Sequence, residues 1–297
     1  MICPVLVGRD ELLELADERL EAARRGRGGL QFIAGEAGIG KTRLLDSVER
    51  RAAAAGFRVV RGGTYPGDLE VAGAVLLDLG RSMSRVPTLA AAGAALGERL
   101  GAAGGPAVDG DAHRRRRILA LDLAAIMVAT GDDGPILISL EDLHQSDDLT
   151  LEILAAVASR AAESPLLIVG TYRSDELYPR IPMREWRALL LTKRLAEESR
   201  LGRLSIEGTA TMTALLLGTS GPPPRPFVEA VHRRTDGIPL HVEELLGMLA
   251  AAGELRLNAL ADAHVPDTLE DAILGRVARR TARARRVAEF GAVIGRS

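Results

Sequence analysis

The sequence is short of several residue types, and each shortage excludes a class of protein. Its single cysteine, Cys3, excludes an intrachain disulfide and a cysteine-rich metal site, and fits a reducing compartment such as the cytoplasm. No apolar run approaches the ~20 residues that a membrane span requires, and residues 1–7 lack the length and the basic start of a signal peptide. A formal net charge of -2 argues against a surface that binds nucleic acid generally. We therefore expect a cytoplasmic protein that makes no membrane contact.

Lysine and aromatic residues are also scarce. Among the 38 basic residues only Lys41 and Lys193 are lysines, so arginine fills nearly every other basic position. Aromatic residues make up 3% of the 297-residue chain and hydrophobic residues 47%, so the core must be built mainly from Ala, Leu, Val and Ile. A lysine that closely follows three glycines is therefore not background in this chain, and it draws attention to residues 35–42.

Residues 35–42 read Gly-Glu-Ala-Gly-Ile-Gly-Lys-Thr, after an apolar run and before a helical pattern. Strand, glycine-rich loop and helix in this order predict a phosphate-binding P-loop, the alternative being a glycine-rich turn with a surface lysine. Glycines let successive main-chain N–H groups face an anion, and the following helix adds its positive end. Lys41 would reach the β- and γ-phosphates of a nucleotide, and the Thr42 hydroxyl would ligate Mg²⁺. The predicted nucleotide-binding residues of this stretch are Gly35, Glu36, Ala37, Gly38, Ile39, Gly40, Lys41, Thr42 and Arg43.

The order of apolar runs and helical patterns predicts an α/β fold with an open parallel sheet flanked by helices. Strands are predicted before the loop, over 57–61, 135–142 and 165–171, and at a sheet edge over 203–206, with a helix over 183–198. A strand–helix–strand unit within about 35 residues favours parallel pairing with a right-handed crossover. From Thr209 onward the pattern is helical throughout.

Two acids end the apolar run over 135–140. Such a run predicts a strand buried on both faces, and its carboxyl end lies at the sheet edge where ligands bind in open α/β folds. Given the P-loop earlier in the chain, we interpret Glu141 and Asp142 as a Walker B motif. One carboxylate would hold Mg²⁺, directly or through water, and the other would orient and deprotonate the attacking water.

Other polar residues leave alternatives open. Arg173 follows the next buried strand and is predicted to contact a γ-phosphate, the alternative being a surface ion pair. His144 could sense phosphate or form a local hydrogen bond, and the local role is favoured. The arginine-rich runs at 113–117 and 276–286 favour solvated or packed helices over nucleic-acid binding, since the run at 113–117 has no interleaved aromatic residues.

Taken together, these motifs resemble the ATPase module of bacterial STAND-type regulators, and in particular the AAA-like module at the front of MalT/LuxR-type large transcriptional activators. Related modules precede some adenylate cyclase and kinase domains. The resemblance covers almost the whole chain. It rests, in chain order, on residues 6–11, 35–42, 140–144 with Asp147, 170–173, 234–240 with 243–245, and 265–296.

The resemblance implies a P-loop NTPase that binds ATP or ADP with Mg²⁺ and hydrolyses ATP slowly as a switch. It places Val7, Gly8 and Arg9 near the adenine, and Pro239 near the nucleotide. The implied catalytic residues are Lys41, Glu141, Asp142 and Arg173, and the implied metal ligands are Thr42, Glu141 and Asp142.

The resemblance also implies a domain organisation. An ATPase core is expected over 1–207, a helical lid over 208–262, and the truncated start of a helical or winged-helix module over 263–297. Sensor and output domains or partner proteins are expected beyond this chain, together with a nucleotide-dependent oligomer. Nucleic acid would not be bound through these residues, which contain no C-terminal helix-turn-helix.

Three positions depart from the family pattern. Glu141 stands where Asp is usual, Gln145 replaces a common Trp, and Ile238 replaces the Asn of Gly-Asn-Pro. The first departure motivates an alternative, a nucleotide-dependent interaction module without significant hydrolysis. The resemblance leaves another open, the ATPase part of a cyclase- or kinase-linked signalling protein. A small-molecule kinase is a weaker alternative, because no acceptor pocket is recognisable.

Overall fold

The computed structural model describes residues 2–63, 71–102, 112–174, 181–219, 221–253 and 286–287. These residues form two compact units. The sheet unit consists of 9–36 and 41–201, and the helical unit includes 2–8, 37–40 and 202–253. The module predicted for 263–297 and the arginine-rich run at 276–286 lie outside the described residues, apart from 286–287.

A five-stranded sheet forms the centre of the sheet unit. Its order is β2-β3-β4-β1-β5, and every neighbouring pair is parallel. In β3 and β4 only the last residue is not fully buried, which explains why both strands appear in the sequence as continuous apolar runs. The predicted open parallel sheet is thus confirmed. The strands are β1 (Gly29–Gly35), β2 (Arg58–Gly63), β3 (Ile136–Glu141), β4 (Leu166–Arg173) and β5 (Ala196–Arg200).

Helices flank this sheet and cover its apolar side chains. The core is mainly aliphatic, as the composition predicts, with a small aromatic group in which Phe32 lies 5.4 Å from Trp186 and 6.1 Å from Tyr172 between ring centroids. The helices are α1 (Asp10–Arg24), α2 (Lys41–Ala54), α3 (Ala74–Ser84), α4 (Ala90–Ala102), α5 (Ala112–Ala129), α6 (Asp148–Ala161) and α7 (Ile181–Thr192).

The helical unit has its own apolar core. Its helices are α8 (Ile206–Leu217), α9 (Arg225–Thr235) and α10 (Pro239–Ala252), in agreement with the all-helical pattern predicted from Thr209 onward. The N-terminal segment is part of this core: Cys3 is 1% exposed, and its main-chain N–H donates to Glu243 Oε1 at 2.9 Å. Residues 2–8 therefore belong with α8–α10 and not with the helix that follows them.

Two secondary-structure predictions are wrong. The helix predicted over 183–198 ends at Thr192, and residues 196–200 form the edge strand β5 beside β1. Residues 203–206 are not a strand, because Ser205 caps α8 by accepting a hydrogen bond from Gly208 N. Ala-Glu-Glu has a high helix propensity, but the open edge of β1 offers a full set of main-chain hydrogen bonds, and this tertiary pairing decides the outcome.

In the part of the chain that the structure describes, no helix has the length and apolar character needed to cross a membrane.

Candidate functional site

The P-loop connects the end of β1 at Gly35 to the start of α2 at Lys41. Gly38 and Gly40 have φ angles of 74° and 103°, which L-residues with a side chain rarely adopt. Residue 39 between them does not share this conformation. Left-handed glycines in a tight turn direct successive main-chain N–H groups toward one side, which is the arrangement of an anion-binding concavity.

Lys41 is buried at the start of α2, with 8% of its surface exposed. Its Nζ donates to the carbonyl oxygens of Gly35 and Glu36, both at 2.9 Å. These contacts hold the ammonium group against the loop instead of leaving it in solvent. The next residue, Thr42, is exposed in the first turn of α2, and Arg43 is half-buried beside it.

The residue types in the loop and at the end of β3 are those that suit a phosphate and its Mg²⁺. The left-handed glycines and the buried ammonium group suit an anion. A hydroxyl and two carboxylates, from Thr42, Glu141 and Asp142, are the oxygen donors that Mg²⁺ prefers. No group of three or more His, Cys, Asp or Glu side chains that could hold a metal occurs among the described residues. Mg²⁺ that accompanies phosphates needs only one or two carboxylates, so this donor set is sufficient.

Residues 37–40 of the loop group with the helical unit, where Gly38 contacts the start of α10. Leu240 N donates to Gly38 O at 3.2 Å. A Cβ atom added to Gly38 would lie 2.9 Å from Leu240 Cβ and 3.3 Å from Ile238 Cγ2. Ile238 and Leu240, which lie within the motif at 234–240, therefore pack directly on Gly38.

The other motif residues of the helical unit have defined local roles. Pro239 is the first residue of α10, and Gly237 adopts a left-handed φ of 68° before it. Val7 packs against the helical core, and Gly8 has a φ of 65° at the end of the N-terminal segment. Gly237 and Pro239 are therefore explained by their positions at helix ends. The predicted role of Pro239 at the nucleotide stays a prediction.

The two acids stand where β3 ends, within the sheet unit. Since all strands run parallel, β1, β3 and β4 present Gly35, Glu141 and Arg173 at the same edge of the sheet, with β4 in the middle. Asp142 has a left-handed φ of 54°, and its N–H donates to Thr171 Oγ1 at 3.1 Å. Left-handed backbone in a non-glycine residue is uncommon and concentrates at functional sites.

His144 forms a local hydrogen bond, which is the role that the sequence favoured. Its side chain is 3% exposed, its Nδ1 accepts a hydrogen bond from Arg173 N at 3.4 Å, and this nitrogen lies 3.8 Å from Asp142 Oδ1. The imidazole therefore joins the end of β4 to the turn after β3. Asp147, assigned to the same motif block, caps α6 by accepting hydrogen bonds from Leu149 N and Thr150 N.

Two further arginines of the sheet unit bear on the predictions. Arg9 precedes α1 and is 9% exposed, and burial lowers the pKa of its guanidinium. Arg116, within the run at 113–117, pairs with Glu152 at 3.0 Å, which is the behaviour expected of a solvated helix face.

A cluster around Arg61 was missed by the sequence reasoning. Arg61 on β2 binds Asp46 and Glu49 on α2, and its Nη1 lies 3.5 Å from Glu141 Oε2. Burial by itself lowers the pKa of Arg61, but the hydrogen bonds with Glu49 and Asp46 raise it above its ordinary value. The available signal was the spacing of Asp46 and Glu49, which places two acids on one face of the helix that follows the P-loop.

Comparison with known families places these features in context. The model of the AAA ATPase domain family matches residues 5–169, more than half of the chain. An uncharacterized protein of Rhizobium meliloti (strain 1021) is 27% identical over 325 residues, covering 98% of this chain and 30% of the relative. The chain thus spans less than a third of the length of this curated relative.

Similar folds occur among solved structures. One chain of a HORMA, CdnC and Trip13 complex from E. coli MS115-1 has a TM-score of 0.53 at 14% identity, over 88% of this chain and 90% of that chain. A Walker-type ATPase of Pyrococcus abyssi has a TM-score of 0.54 at 13% identity, over 86% of this chain and 71% of that chain. A STAND protein of Pyrococcus horikoshii with a tetratricopeptide repeat sensor has a TM-score of 0.45 at 14% identity, over 95% of this chain and 33% of that chain. At these identities the first two similarities concern the fold alone.

Proposed function

The chain belongs to the AAA ATPase domain family, and from this we propose that it is an ATP-binding, slowly ATP-hydrolysing switch module of a bacterial signal-responsive regulator. The P-loop supports this proposal most directly. Gly35 at the end of β1 and Glu141 at the end of β3 stand at the same edge of the parallel sheet, and the buried Lys41 begins the helix that follows the loop. A phosphate-binding loop and an acidic strand end are the two parts that hydrolysis of ATP requires.

In this proposal the phosphates bind to main-chain N–H groups of residues 35–42. Lys41 stabilises the β- and γ-phosphates, and Arg173 at the neighbouring strand end adds a second positive charge. Thr42 and one carboxylate of the Glu141–Asp142 pair would hold Mg²⁺, which would neutralise negative charge on the transferred phosphoryl group.

After ATP is bound, hydrolysis requires attack by water on the γ-phosphate. A carboxylate of the Glu141–Asp142 pair accepts a proton from the water and orients it toward the γ-phosphate. Asp142 is the candidate for this role, since its main chain is fixed by Thr171 and by its left-handed conformation. Val7, Gly8, Arg9 and Pro239 keep their predicted roles at the adenine and the nucleotide.

The regulatory part of the proposal rests on the length of the relative. Because this chain corresponds to 30% of that protein, further domains that sense a signal or carry the output fit the remaining length. A transcriptional output of the MalT/LuxR type, nucleotide-dependent oligomers and a cytoplasmic location belong to this proposal. The domain limits at 207 and 262 are part of it as well.

Substitution of the P-loop lysine tests ATP binding. In Lys41→Ala we expect affinity for ATP to fall at least about 100-fold in calorimetry, because a charge-assisted contact to the phosphates is lost. Lys193→Ala is the matched control: it removes the other lysine, which is exposed after α7, and should leave the affinity unchanged. Unchanged affinity in Lys41→Ala would refute the assignment.

Phosphate release by the purified protein distinguishes the two leading functions. Slow release that Asp142→Ala abolishes supports hydrolysis. ATP binding without any release would instead support a nucleotide-dependent interaction module.

A further inference from the structure

Arg61 brings together residues that lie far apart in the sequence. It stands on β2, where its Cα is paired with that of Ser139 on β3. Its Nε and Nη2 donate to the two carboxylate oxygens of Glu49, at 2.8 and 2.7 Å, which is a bidentate contact. Nη2 also binds Asp46, one turn earlier on α2. The edge of the guanidinium is thus fixed to the helix that begins at Lys41.

The opposite side of the same guanidinium faces the Walker B strand. Nη1 lies 3.5 Å from Oε2 of Glu141. Residues two positions apart on a strand share a face, so Ser139 and Glu141 both point toward the face that carries Arg61. Ser139 is fully buried and donates from its Oγ to Glu49 Oε1, which closes the cluster.

The cluster therefore joins α2, β2 and β3 through one cation. Helix α2 carries Lys41 and Thr42 at its start, and β3 carries Glu141 at its end. Glu141 is the residue whose side chain is one methylene longer than that of the usual Asp. A longer side chain has an additional rotatable bond, so it needs a partner to hold its carboxylate in one place.

We propose that Arg61 is a positioning residue that orients Glu141 for Mg²⁺ and fixes it relative to the P-loop helix through Glu49 and Asp46. This inference rests on the proposed function. Removal of the guanidinium would leave three carboxylates facing one another, and their repulsion would displace Glu141 from the orientation suited to the metal.

The experiment measures how strongly Mg²⁺ increases affinity for ATP, by calorimetry in excess Mg²⁺ and in EDTA. In Arg61→Gln we expect affinity with Mg²⁺ to fall about 5- to 10-fold and affinity in EDTA to stay the same. Arg61→Lys keeps the charge but loses the bidentate contact, and should give an intermediate value.

Arg58→Gln is the matched control on the same strand, because Arg58 donates to the main-chain oxygens of Thr130 and Gly134 at 2.6 and 2.5 Å. It should leave the Mg²⁺ effect unchanged.

A double-mutant cycle tests whether Arg61 acts through Glu141. In the Glu141→Gln background, Arg61→Gln should cause no further loss of the Mg²⁺ effect. Additive losses would overturn the inference, as would an equal loss of affinity with and without Mg²⁺, or tighter Mg²⁺-dependent binding in Arg61→Gln. If the wild-type protein binds no ATP at all, the proposed function itself fails, and this inference fails with it.

Discussion

Gly38 satisfies two separate constraints in the P-loop. Its φ of 74° disfavours any residue with a Cβ atom, and the space that a Cβ would occupy is taken by Leu240 and Ile238. Gly26, in the turn after α1, has a similar φ of 78° but no heavy atom within 4 Å of such a Cβ. Alanine substitutions at Gly26 and Gly38 therefore separate the free-energy cost of backbone strain from the cost of steric overlap.

We expect Gly26→Ala to lower the free energy of unfolding by about 1 kcal/mol, the cost of a left-handed alanine. Gly38→Ala should cost about 2–4 kcal/mol, because the overlap with Leu240 is added to the same strain. Denaturant unfolding monitored by circular dichroism measures both values. Equal losses in the two variants would show that the contact with Leu240 gives way without cost.

At the scale of elements, a network of polar side chains connects the edge strand β5 to β4 and α7. Glu198 on β5 accepts hydrogen bonds from Tyr172 on β4 and from Arg187 on α7, whose Nη2 lies 2.6 Å from Glu198 Oε1. Burial alone raises the pKa of Glu198, but the hydrogen bonds from Arg187, Tyr172 and Arg200 outweigh it and lower the pKa to about 2. Burial and the hydrogen bond to Glu198 raise the pKa of Tyr172.

The depressed pKa makes this contribution to stability dependent on pH. Because the pKa falls from 4.5 to about 2 on folding, the stabilisation is fully present above pH 4.5 and is lost as the pH falls toward 2. We expect Glu198→Gln to be less stable than wild type by about 2 kcal/mol at pH 7. That difference should shrink steadily between pH 4.5 and 3 in denaturant unfolding.

Glu197→Gln provides the control for the pH experiment. Glu197 is the adjacent strand residue, and its pair with Arg19 at 2.7 Å is between side chains that are 53% and 37% exposed. An exposed pair of this kind contributes about 0.5 kcal/mol, so this variant should follow the wild-type pH curve. A constant difference between Glu198→Gln and wild type at all pH values would contradict the assigned pKa.

At the scale of the molecule, each unit has its own buried core. Leu154 on α6 lies in the core of the sheet unit, and Leu245 on α10 lies with Cys3 in the core of the helical unit. Both leucines are fully buried. Cys3 is the single cysteine of the chain, so its reaction with a thiol reagent reports specifically on opening of the helical unit.

Leu245→Ala should increase the rate of Cys3 labelling under native conditions by about 30-fold, since a cavity of this kind costs at least about 2 kcal/mol. Leu154→Ala removes the same atoms from the other core and should leave the labelling rate close to that of wild type. Equal acceleration by both variants would mean that the two cores open only together.

The features that the sequence alone determined are those encoded by neighbouring residues. The P-loop depends on eight consecutive positions, and the buried strands β3 and β4 on apolar runs with polar ends. Such features form from local conformational preference and from burial of both strand faces, so they need no knowledge of distant partners. The α/β fold and the helical C-terminal region followed from the same patterns.

Only the tertiary structure decided the strand order, the identity of the edge strand and the partners of Glu141. Residues 196–200 have a helical composition and become β5 because the edge of β1 is open to pairing. Ser139 and Glu49 are 90 positions apart, and Arg61 meets them through the packing of α2 on the sheet. The physical reason is the same in both cases: contacts between distant segments form only once the sheet has brought those segments together, and local preference carries no information about them.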